Sequence, residues 1–397
     1  MTKLTESQIE DLRCQHDLGD VAARFGAVLR KSGGKLVGSC PMCGGSRKAK
    51  RFEVKQDQWV CAVCHEGGDV ISLVRKVRGV GFLEAVDWLG GPRVLTPAED
   101  ERLQRERAAR DAKQAKEQEE YRERERKVAF GIWQNAVSLV SHDLARAGRD
   151  YMAARNLLWP DDLPLRYAPE LPYFHGHEID KRGHKVPRVL YRGPAIVSPI
   201  IRPDHHFGAV HMTFIDPARP GKKIELFDPE DGELLPAKKS RGSTSGGRIE
   251  LVRPAGPAVR LFFGEGIETV MSIYTAFWHL NRLREGDAFW TSVDLGNLGG
   301  KAVCSVDHPT LKQENNRPRR VPGPEPDMSA PAVPVPDSVV ELITLGDGDS
   351  EPFLTHMAHE RARRRYERPG RITRSPFAPD GFDFSDVLQG KALETVA

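Results

Sequence analysis

Four of the six cysteines lie in two closely spaced pairs near the start of the chain. The pairs are Cys40-Pro-Met-Cys43 and Cys61-Ala-Val-Cys64, with seventeen residues between them. This spacing is typical of a tetrahedral zinc site, in which each pair supplies two thiolates to one ion. His65 could replace Cys64 as the fourth ligand, although two chelating pairs give the simpler geometry. The sequence therefore predicts a structural Zn²⁺ bound by all four of these cysteines.

Basic and aromatic side chains flank the cysteines. From Val28 to Lys55 there are eight basic residues and one acidic residue. Cations beside exposed aromatic rings suit phosphates and unpaired bases. The simpler alternative is that zinc only stabilises the fold. The candidate contacts to single-stranded nucleic acid here are Arg47, Lys48, Arg51 and Trp59, with Phe52 on the same strand surface.

Acidic residues in the last third of the chain follow predicted strands. The candidate ligands are Glu265, Glu268, Asp347 and Asp349, with a third pair, Asp383 and Asp386, further on. Carboxylates beyond the carboxyl ends of strands lie at the edge where α/β sheets bind ligands. Mg²⁺ takes few carboxylates and completes its shell with water and substrate phosphates. The pattern therefore predicts a divalent-metal site.

Two glycine-rich turns do not fit the known nucleotide-binding motifs, the dinucleotide fingerprint and the P-loop. A pyrophosphate at the turn before Glu268 would be repelled by the two glutamates there, so the turn is not a dinucleotide fingerprint. The stretch Gly296–Lys301 lacks the glycine spacing and the Ser or Thr of a P-loop. The sequence contains no recognisable ATPase motor.

The 397 residues suggest two or three domains. We predict a zinc-binding domain over 1–95, a charged helical linker over 96–127, a basic, mixed or β-rich domain over 128–258, and an α/β domain over 259–397. The linker carries ten acidic and ten basic residues between Glu99 and Lys127 and no apolar stripe. Strands alternate with helices after residue 259, which predicts a parallel sheet with crossover helices. We expect the Pro-rich insertion at about 315–336 to be a mobile segment that does not pack as an element.

Net charge and hydropathy exclude some classes of protein. The formal net charge is only +3, so an extended basic surface is limited to particular segments. No run approaches the length of a membrane span, and the first residues lack the apolar region of a signal peptide. We therefore expect a cytoplasmic protein with no membrane partner.

The first ninety or so residues resemble the CHC2-like zinc-binding domain of bacterial replicative primases. The resemblance is carried by the segments Asp17–Phe25, Val37–Cys43, Arg51–Val54, Trp59–His65, Gly67–Ile71 and Phe82–Ala85. The second ligand in that family is usually histidine. Cys43 stands there in this chain, which resembles primases of phages and mobile elements.

Three acidic motifs resemble a Toprim domain, the catalytic fold shared by bacterial primases, type IA and II topoisomerases and some nucleases. They are Glu265-Gly-Ile-Glu268, Asp294-Leu-Gly296 and Asp347-Gly-Asp349, and the later Gly381-Phe-Asp-Phe-Ser-Asp386 most resembles primases. The resemblance implies that Glu265, Asp347 and Asp349 hold catalytic Mg²⁺ or Mn²⁺, with Glu268, Asp383 and Asp386 as further candidates. The middle domain resembles the basic subdomain of phage and mobile-element primases. Its candidates for binding template or triphosphate are Lys238, Lys239 and Arg241.

The order of these domains leads to a functional hypothesis. We predict a DNA-dependent RNA primase that uses a single-stranded DNA template and nucleoside triphosphates, with a replicative helicase acting in trans. Two alternatives remain open: another Toprim enzyme, such as a nuclease or a topoisomerase-like protein, and a non-catalytic zinc protein that coats single strands. The carboxylates argue against the second alternative, because an electrostatic binder gains nothing from acids in its groove.

Overall fold

The computed structural model describes residues 6–32, 34–44, 52–55, 57–90, 97–313 and 316–394. The chain divides into two compact units, Met1–Lys113 and Gln114–Ala397. The first unit holds an antiparallel sheet and the second holds an antiparallel and a mostly parallel sheet. The predicted fold class, a multidomain α/β protein with an N-terminal zinc-binding domain, is therefore confirmed.

The N-terminal unit is a five-stranded sheet whose strands pair in chain order, with helices before and after it. Its elements are α1 (Glu6–Gln15), α2 (Leu18–Arg24), β1 (Leu29–Ser32), β2 (Lys35–Gly38), β3 (Phe52–Lys55), β4 (Gln58–Cys61), β5 (Glu66–Gly68), α3 (Val70–Arg78) and α4 (Phe82–Trp88). Helix α3 begins after Asp69, whose carboxylate accepts a hydrogen bond from the Ser72 amide at 2.7 Å. It ends at Gly79, whose φ of 65° lies in the left-handed region that glycine adopts without strain.

A long charged helix, α5 (Pro97–Asn135), contains the boundary between the two units at residues 113 and 114. Ion pairs join successive turns of this helix, for example Arg126 with Glu123 at 2.9 Å. Among the side chains of this helix that the structure describes, the buried apolar residues lie in its last turns, for example Ala129. The charged helix that the sequence predicts is therefore present, and it continues about two turns beyond residue 127.

The segment after α5 is rich in β-structure, as predicted. Its elements are β6 (Val137–Ser138), α6 (Arg146–Ala153), β7 (Arg166–Ile179), β8 (Lys185–Ile201), β9 (Phe207–Phe214), β10 (Leu226–Phe227), β11 (Leu234–Leu235) and β12 (Lys238–Gly242). Five of the strands form an antiparallel sheet in the order β12, β9, β8, β7, β6. Strand β12 lies at one edge of that sheet, paired with β9.

The C-terminal segment forms the predicted parallel sheet. Its elements are β13 (Ile249–Val252), β14 (Arg260–Gly264), α7 (Ile267–His279), β15 (Asp287–Thr291), α8 (Leu295–Gly299), β16 (Ser305–Lys312), β17 (Pro318–Pro322), β18 (Glu341–Leu345), α9 (Pro352–Tyr366), β19 (Ile372–Arg374), α10 (Phe384–Leu388) and α11 (Lys391–Glu394). The sheet has the order β13, β15, β14, β18, β19, and only β13 runs antiparallel to its neighbour. The carboxyl ends of the four parallel strands therefore meet at one edge.

The Pro-rich insertion packs against α9, so the expectation that it would not pack is wrong. Strands β16 and β17 form a hairpin, and Val333 is buried at 1% exposure in the core beneath the sheet. The buried guanidinium of Arg361 donates to the carbonyls of Gly300 and Gly323, at 2.8 and 2.7 Å, on the two sides of this hairpin. Proline prevents long regular pairing, but these side-chain donors replace the missing backbone bonds.

One hydrophobic core joins the middle and C-terminal segments. Tyr151 and Ile196 belong to the middle segment, and Phe262 and Phe289 to the parallel sheet, and all four lie in the same buried cluster. The predicted boundary at 258/259 therefore does not coincide with a break in the core. Among the described residues, no helix combines the length and the apolar character that crossing a bilayer needs.

Candidate metal centre and candidate active site

The four cysteine sulfurs converge in the N-terminal unit. The Sγ atoms of Cys40, Cys43, Cys61 and Cys64 lie within 4.8 Å of one another. Two of the sulfur pairs are separated by 3.7 and 3.8 Å. A regular tetrahedron with Zn–S bonds of about 2.3 Å has S–S edges of about 3.8 Å, so these two distances match a tetrahedral zinc site. The four thiolates form a closed zinc site, as predicted, and His65 is not part of the converging group.

Trp59 lies in the core of the N-terminal unit and cannot stack on bases. Its side chain is 0% exposed, and its indole nitrogen donates to the Asp69 carbonyl at 3.0 Å and to the Ser72 hydroxyl at 3.1 Å. Phe52 is equally buried beside it, with ring centroids 5.7 Å apart. The prediction that these rings form an exposed nucleic-acid surface is therefore wrong. The other three candidates there, Arg47, Lys48 and Arg51, lie outside the described residues.

Five of the acidic residues of the C-terminal segment lie at the carboxyl edge of the parallel sheet, called the acidic edge below: Glu265, Asp294, Asp347, Asp349 and Asp383. Glu265 follows β14, Asp294 follows β15, and Asp347 and Asp349 follow β18. Asp383 reaches the same edge from the start of α10. Their charges act on one another, because Asp383, Asp349 and Glu265 all raise the pKa of Asp347.

Close backbone contacts bring Asp383 beside the Asp-Gly-Asp turn. The Gly348 amide donates to the Phe382 carbonyl at 2.9 Å, and the Gly381 amide donates back to the Gly348 carbonyl at 2.9 Å. A Cβ on Gly348 would lie 2.2 Å from the Pro379 oxygen, so only glycine permits this approach. The glycine between the two aspartates is therefore needed to hold the turn in place.

Asp347 is the most perturbed acid of this edge. Burial raises its pKa, the neighbouring acids raise it further, and the resulting value is about 7. The Thr269 hydroxyl lies 3.0 Å from both carboxylate oxygens and opposes the shift. Burial likewise raises the pKa of Glu265, with Asp294 and Asp349 adding to the effect and Lys238 opposing it. The neighbouring positive charge is too small to stabilise the ionised forms of these carboxyl groups. A bound divalent cation would stabilise them.

The turn that carries Asp294 is strained. Val293 has φ of 74°, which is unusual for a β-branched residue. The Thr291 hydroxyl accepts from the Val293 amide at 3.0 Å and donates to the Glu265 carbonyl. Strained backbone concentrates at functional sites, where the surrounding structure maintains it. The hydroxyl thereby connects the turn after β15 to the turn after β14.

Glu268 does not join the acidic edge. Its side chain is buried, accepts a hydrogen bond from the Tyr151 hydroxyl at 2.7 Å, and pairs with Lys223 at 3.2 Å and Lys238 at 3.3 Å. The positive charges of these lysines outweigh burial and hold the pKa of Glu268 well below its usual range. All of its close charged partners are therefore cations, in contrast to Glu265 and Asp347.

The other predicted residues are dispersed. Lys239 and Arg241 leave the opposite side of β12 from Lys238, since side chains alternate along a strand. The Lys239 ammonium lies 4.6 Å from the Tyr173 ring centre, and Arg241 pairs with Glu125 at 2.9 Å. Asp386 pairs with Lys391 at 2.5 Å. Among the described residues, the four cysteines are the one group of three or more His, Cys, Asp or Glu side chains whose ligand atoms converge on a metal position.

Three partners at this site have weak signals in the sequence. Tyr151, Thr269 and Lys223 are common residue types without motif spacing, and each lies far along the chain from at least one group that it contacts. A general preference for pairing buried charges predicts that Glu268 needs a cation, but it does not say which one. Only the tertiary structure identifies these partners.

The fold and the sites define a class of protein: a zinc-ribbon unit joined to an α/β unit with an acidic sheet edge. Residues 4–101 match the CHC2 zinc finger family, and residues 123–251 match a domain of unknown function, DUF7146. Over 90 residues, or 22% of this chain, the sequence is 29% identical to the DNA primase of Staphylococcus epidermidis and 28% identical to that of Staphylococcus aureus. The resemblance to DNA primases with a zinc-binding domain is thus confirmed. The match spans about a seventh of each relative, 14% of its length.

Solved structures of primases are similar over more of the chain. The Aquifex aeolicus primase, with zinc-binding and RNA polymerase domains, aligns with 99% of this chain and 84% of its own at 15% identity and a TM-score of 0.33. A DNA primase domain from Pseudomonas aeruginosa aligns with 68% of this chain and 77% of its own at 13% identity and a TM-score of 0.38.

Proposed function

We propose that this chain is a DNA-dependent RNA primase that extends primers on single-stranded DNA by metal-dependent nucleotidyl transfer. Two independent features support the proposal. The N-terminal zinc finger is similar to that of DNA primases. The second unit presents buried, mutually repelling carboxylates at the carboxyl edge of a parallel sheet, and this is the observation on which the catalytic assignment rests.

Glu265, Asp347 and Asp349 are the proposed ligands of Mg²⁺ or Mn²⁺. Hard carboxylate oxygens from the turns after β14 and β18 suit these cations, and Asp383 adds negative charge nearby. A bound divalent cation would polarise the reacting phosphate and stabilise the charge that develops on its oxygens. The chain itself fixes the carboxylates: Thr269 orients Asp347, and the turn around Gly348 holds Asp347 beside Asp383.

Basic groups beside the edge are proposed to bind the nucleotide. Lys238 lies close enough to Glu265 for each charge to shift the pKa of the other group. An ammonium there can contact a triphosphate while the acids hold the metal. The template would bind to other basic groups, with Arg47, Lys48 and Arg51 as candidates, and a replicative helicase would act in trans.

The test is primer synthesis on a single-stranded circular DNA, with labelled nucleoside triphosphates and Mg²⁺ or Mn²⁺. The wild-type chain is expected to make short labelled RNA, and Asp347→Asn is expected to lose synthesis by orders of magnitude while still binding the circle. Asp161→Asn, at an exposed position, is the matched control and should remain active. Wild-type synthesis by Asp347→Asn would overturn the catalytic assignment. Cleavage of the circle without synthesis would favour a nuclease, and binding alone would favour a strand-coating protein.

A further inference from the structure

The lysine pair around Glu268 is a structural feature that no catalytic motif explains. Lys223 precedes β10, Lys238 begins β12, and Glu268 lies in the first turn of α7. The two ammonium groups contact different oxygens of the one carboxylate, at 3.2 and 3.3 Å. The Tyr151 hydroxyl, from α6, donates to the first of these oxygens at 2.7 Å. One acidic side chain thus connects α6, β12 and the loop before β10 to the helix that follows Glu265.

The lysines remain partly accessible although Glu268 is buried. Their side chains are 30% and 37% exposed, against 6% for the glutamate. Arg155 contributes a third positive charge to the surroundings of Glu268, and its guanidinium stacks over the Tyr151 ring at 5.0 Å. Glu268 therefore neutralises only part of the positive charge near it. Two of the cations also act on the acidic edge, since Lys238 interacts with Glu265 and Arg155 with Asp383.

We infer that Glu268 is a positioning residue, which fixes Lys238 beside the acidic edge and Lys223 next to Lys238, and that it is not a ligand of the catalytic metal. A metal ligand must offer a free lone pair toward the other carboxylates. Each oxygen of Glu268 instead contacts its own ammonium group, and the first also accepts a hydrogen bond from the Tyr151 hydroxyl. A cation placed there would meet two ammonium groups at close range, which is strongly unfavourable in a buried site. This inference rests on the proposed function, because the lysines are positioned for a phosphate-bearing substrate.

The protonation of Lys223 and Lys238 depends on the charge of Glu268. Lys223, Lys238 and Arg155 face Glu268, and Tyr151 donates to it. His211, which is 6% exposed, interacts with both lysines, but burial lowers its pKa to about 4, so it adds no charge near neutral pH. Burial also lowers the pKa of Lys223, with Glu268 opposing that shift. Removal of Glu268 would therefore leave the two half-buried ammonium groups side by side without the carboxylate that both of them contact.

The test compares Glu268→Gln with Glu265→Gln in the zinc-loaded full-length chain. Gln keeps the shape of the side chain and an oxygen for Tyr151 while removing the charge. Mn²⁺ binding without nucleotide, followed by the paramagnetic resonance of the free ion, should be unchanged in Glu268→Gln and weakened at least tenfold in Glu265→Gln. Primer synthesis by Glu268→Gln should fall tenfold or more, and the loss should deepen from pH 7 to pH 9, while the Mn²⁺ concentration for half-maximal rate stays the same.

A charge-balanced variant distinguishes a role of Glu268 in positioning the lysines from a role in protein stability alone. Lys223→Met combined with Glu268→Gln restores the wild-type net charge of the cluster and should bring the pH profile back toward that of the wild type. Tyr151→Phe, which keeps the ring and loses only the hydroxyl, serves if Glu268→Gln does not fold, and should give a smaller loss of the same kind. Weakened Mn²⁺ binding in Glu268→Gln would overturn the inference, as would synthesis with an unchanged pH profile.

A binding assay with inorganic tripolyphosphate distinguishes failure of the inference from failure of the proposed function. The wild-type chain should bind this probe with an affinity that changes little between pH 7 and pH 9, and Glu268→Gln should lose at least fivefold over the same range. If the wild type makes no primer but this difference is found, the primase proposal fails and the positioning role stands. If primer synthesis is found without the difference, the positioning role fails alone.

Discussion

Asp347→Asn should stabilise the second unit while abolishing primer synthesis. The carboxyl group titrates near pH 7, compared with 3.8 for an ordinary Asp, because it is buried among other acids. The folded chain therefore holds this proton more tightly than the unfolded chain does. Its stability must fall as pH rises from about 4 to about 7 and then level off. The difference between the two pKa values corresponds to a loss of at most about 4 kcal/mol at pH 8, at about 1.4 kcal/mol for each pH unit.

Urea unfolding at pH 5 and pH 8, without added Mg²⁺ or Mn²⁺, measures this effect. Asn has no charge to suppress, so the variant should be more stable than the wild type at pH 8 by up to about 4 kcal/mol, with a much smaller difference at pH 5. Mg²⁺ should stabilise the wild type at pH 8 and have little effect on the variant. Asp161→Asn, at an exposed position, should leave both values unchanged. A variant less stable than the wild type at pH 8, or equally pH-dependent, would refute the reasoning.

Three further results are expected. Cys61→Ser should remove bound zinc, measured by elemental analysis, and unfold the N-terminal unit while the second unit keeps its own calorimetric transition, because four thiolates contribute about 10–16 kcal/mol of folding energy. A single joint transition would contradict this. Gly348→Ala should lower primer synthesis and cost about 1–3 kcal/mol of stability, because its Cβ meets the Pro379 carbonyl at 2.2 Å; Gly256→Ala, where the added Cβ meets nothing within 4 Å, is the control and should behave as wild type. Binding to single-stranded DNA should weaken with salt at a log-log slope of about −0.7 for each phosphate neutralised. Replacing Arg47, Lys48 and Arg51 together by neutral residues should make this slope less steep. An unchanged slope would place the template contact in the middle segment.

The acidic edge could be predicted from the sequence because each acid lies within a few residues of the strand that positions it. Asp347 and Asp349 directly follow an apolar strand, and Glu265 follows another, so the ends of parallel strands bring them together. The cysteine spacing is equally local, and four thiolates at that spacing have one common use. The first prediction needed only the position of the acids after the strands. The second needed only the spacing of the cysteines.

Burial and long-range pairing could not be predicted in the same way. Trp59 occupies a strand whose alternation gives two equivalent faces, and the sequence does not show which face the helices cover. Glu268 carries the same charge as Glu265 three residues earlier, but lysines from distant elements surround only one of them. The Pro-rich segment packs through buried arginine donors on α9, and the sequence alone does not reveal them.

The core shared by the middle sheet and the parallel sheet limits how such chains can recombine in evolution. A gene fusion with its breakpoint near residue 258 would separate Tyr151 and Ile196 from Phe262 and Phe289, and each fragment would expose apolar surface that favours aggregation. A breakpoint near residue 113, within the charged helix α5, would divide none of the four hydrophobic clusters of the described residues. Exchange of the zinc-binding unit between related genes should therefore yield folded chimaeras, whereas the residues after 114 should be inherited as one block.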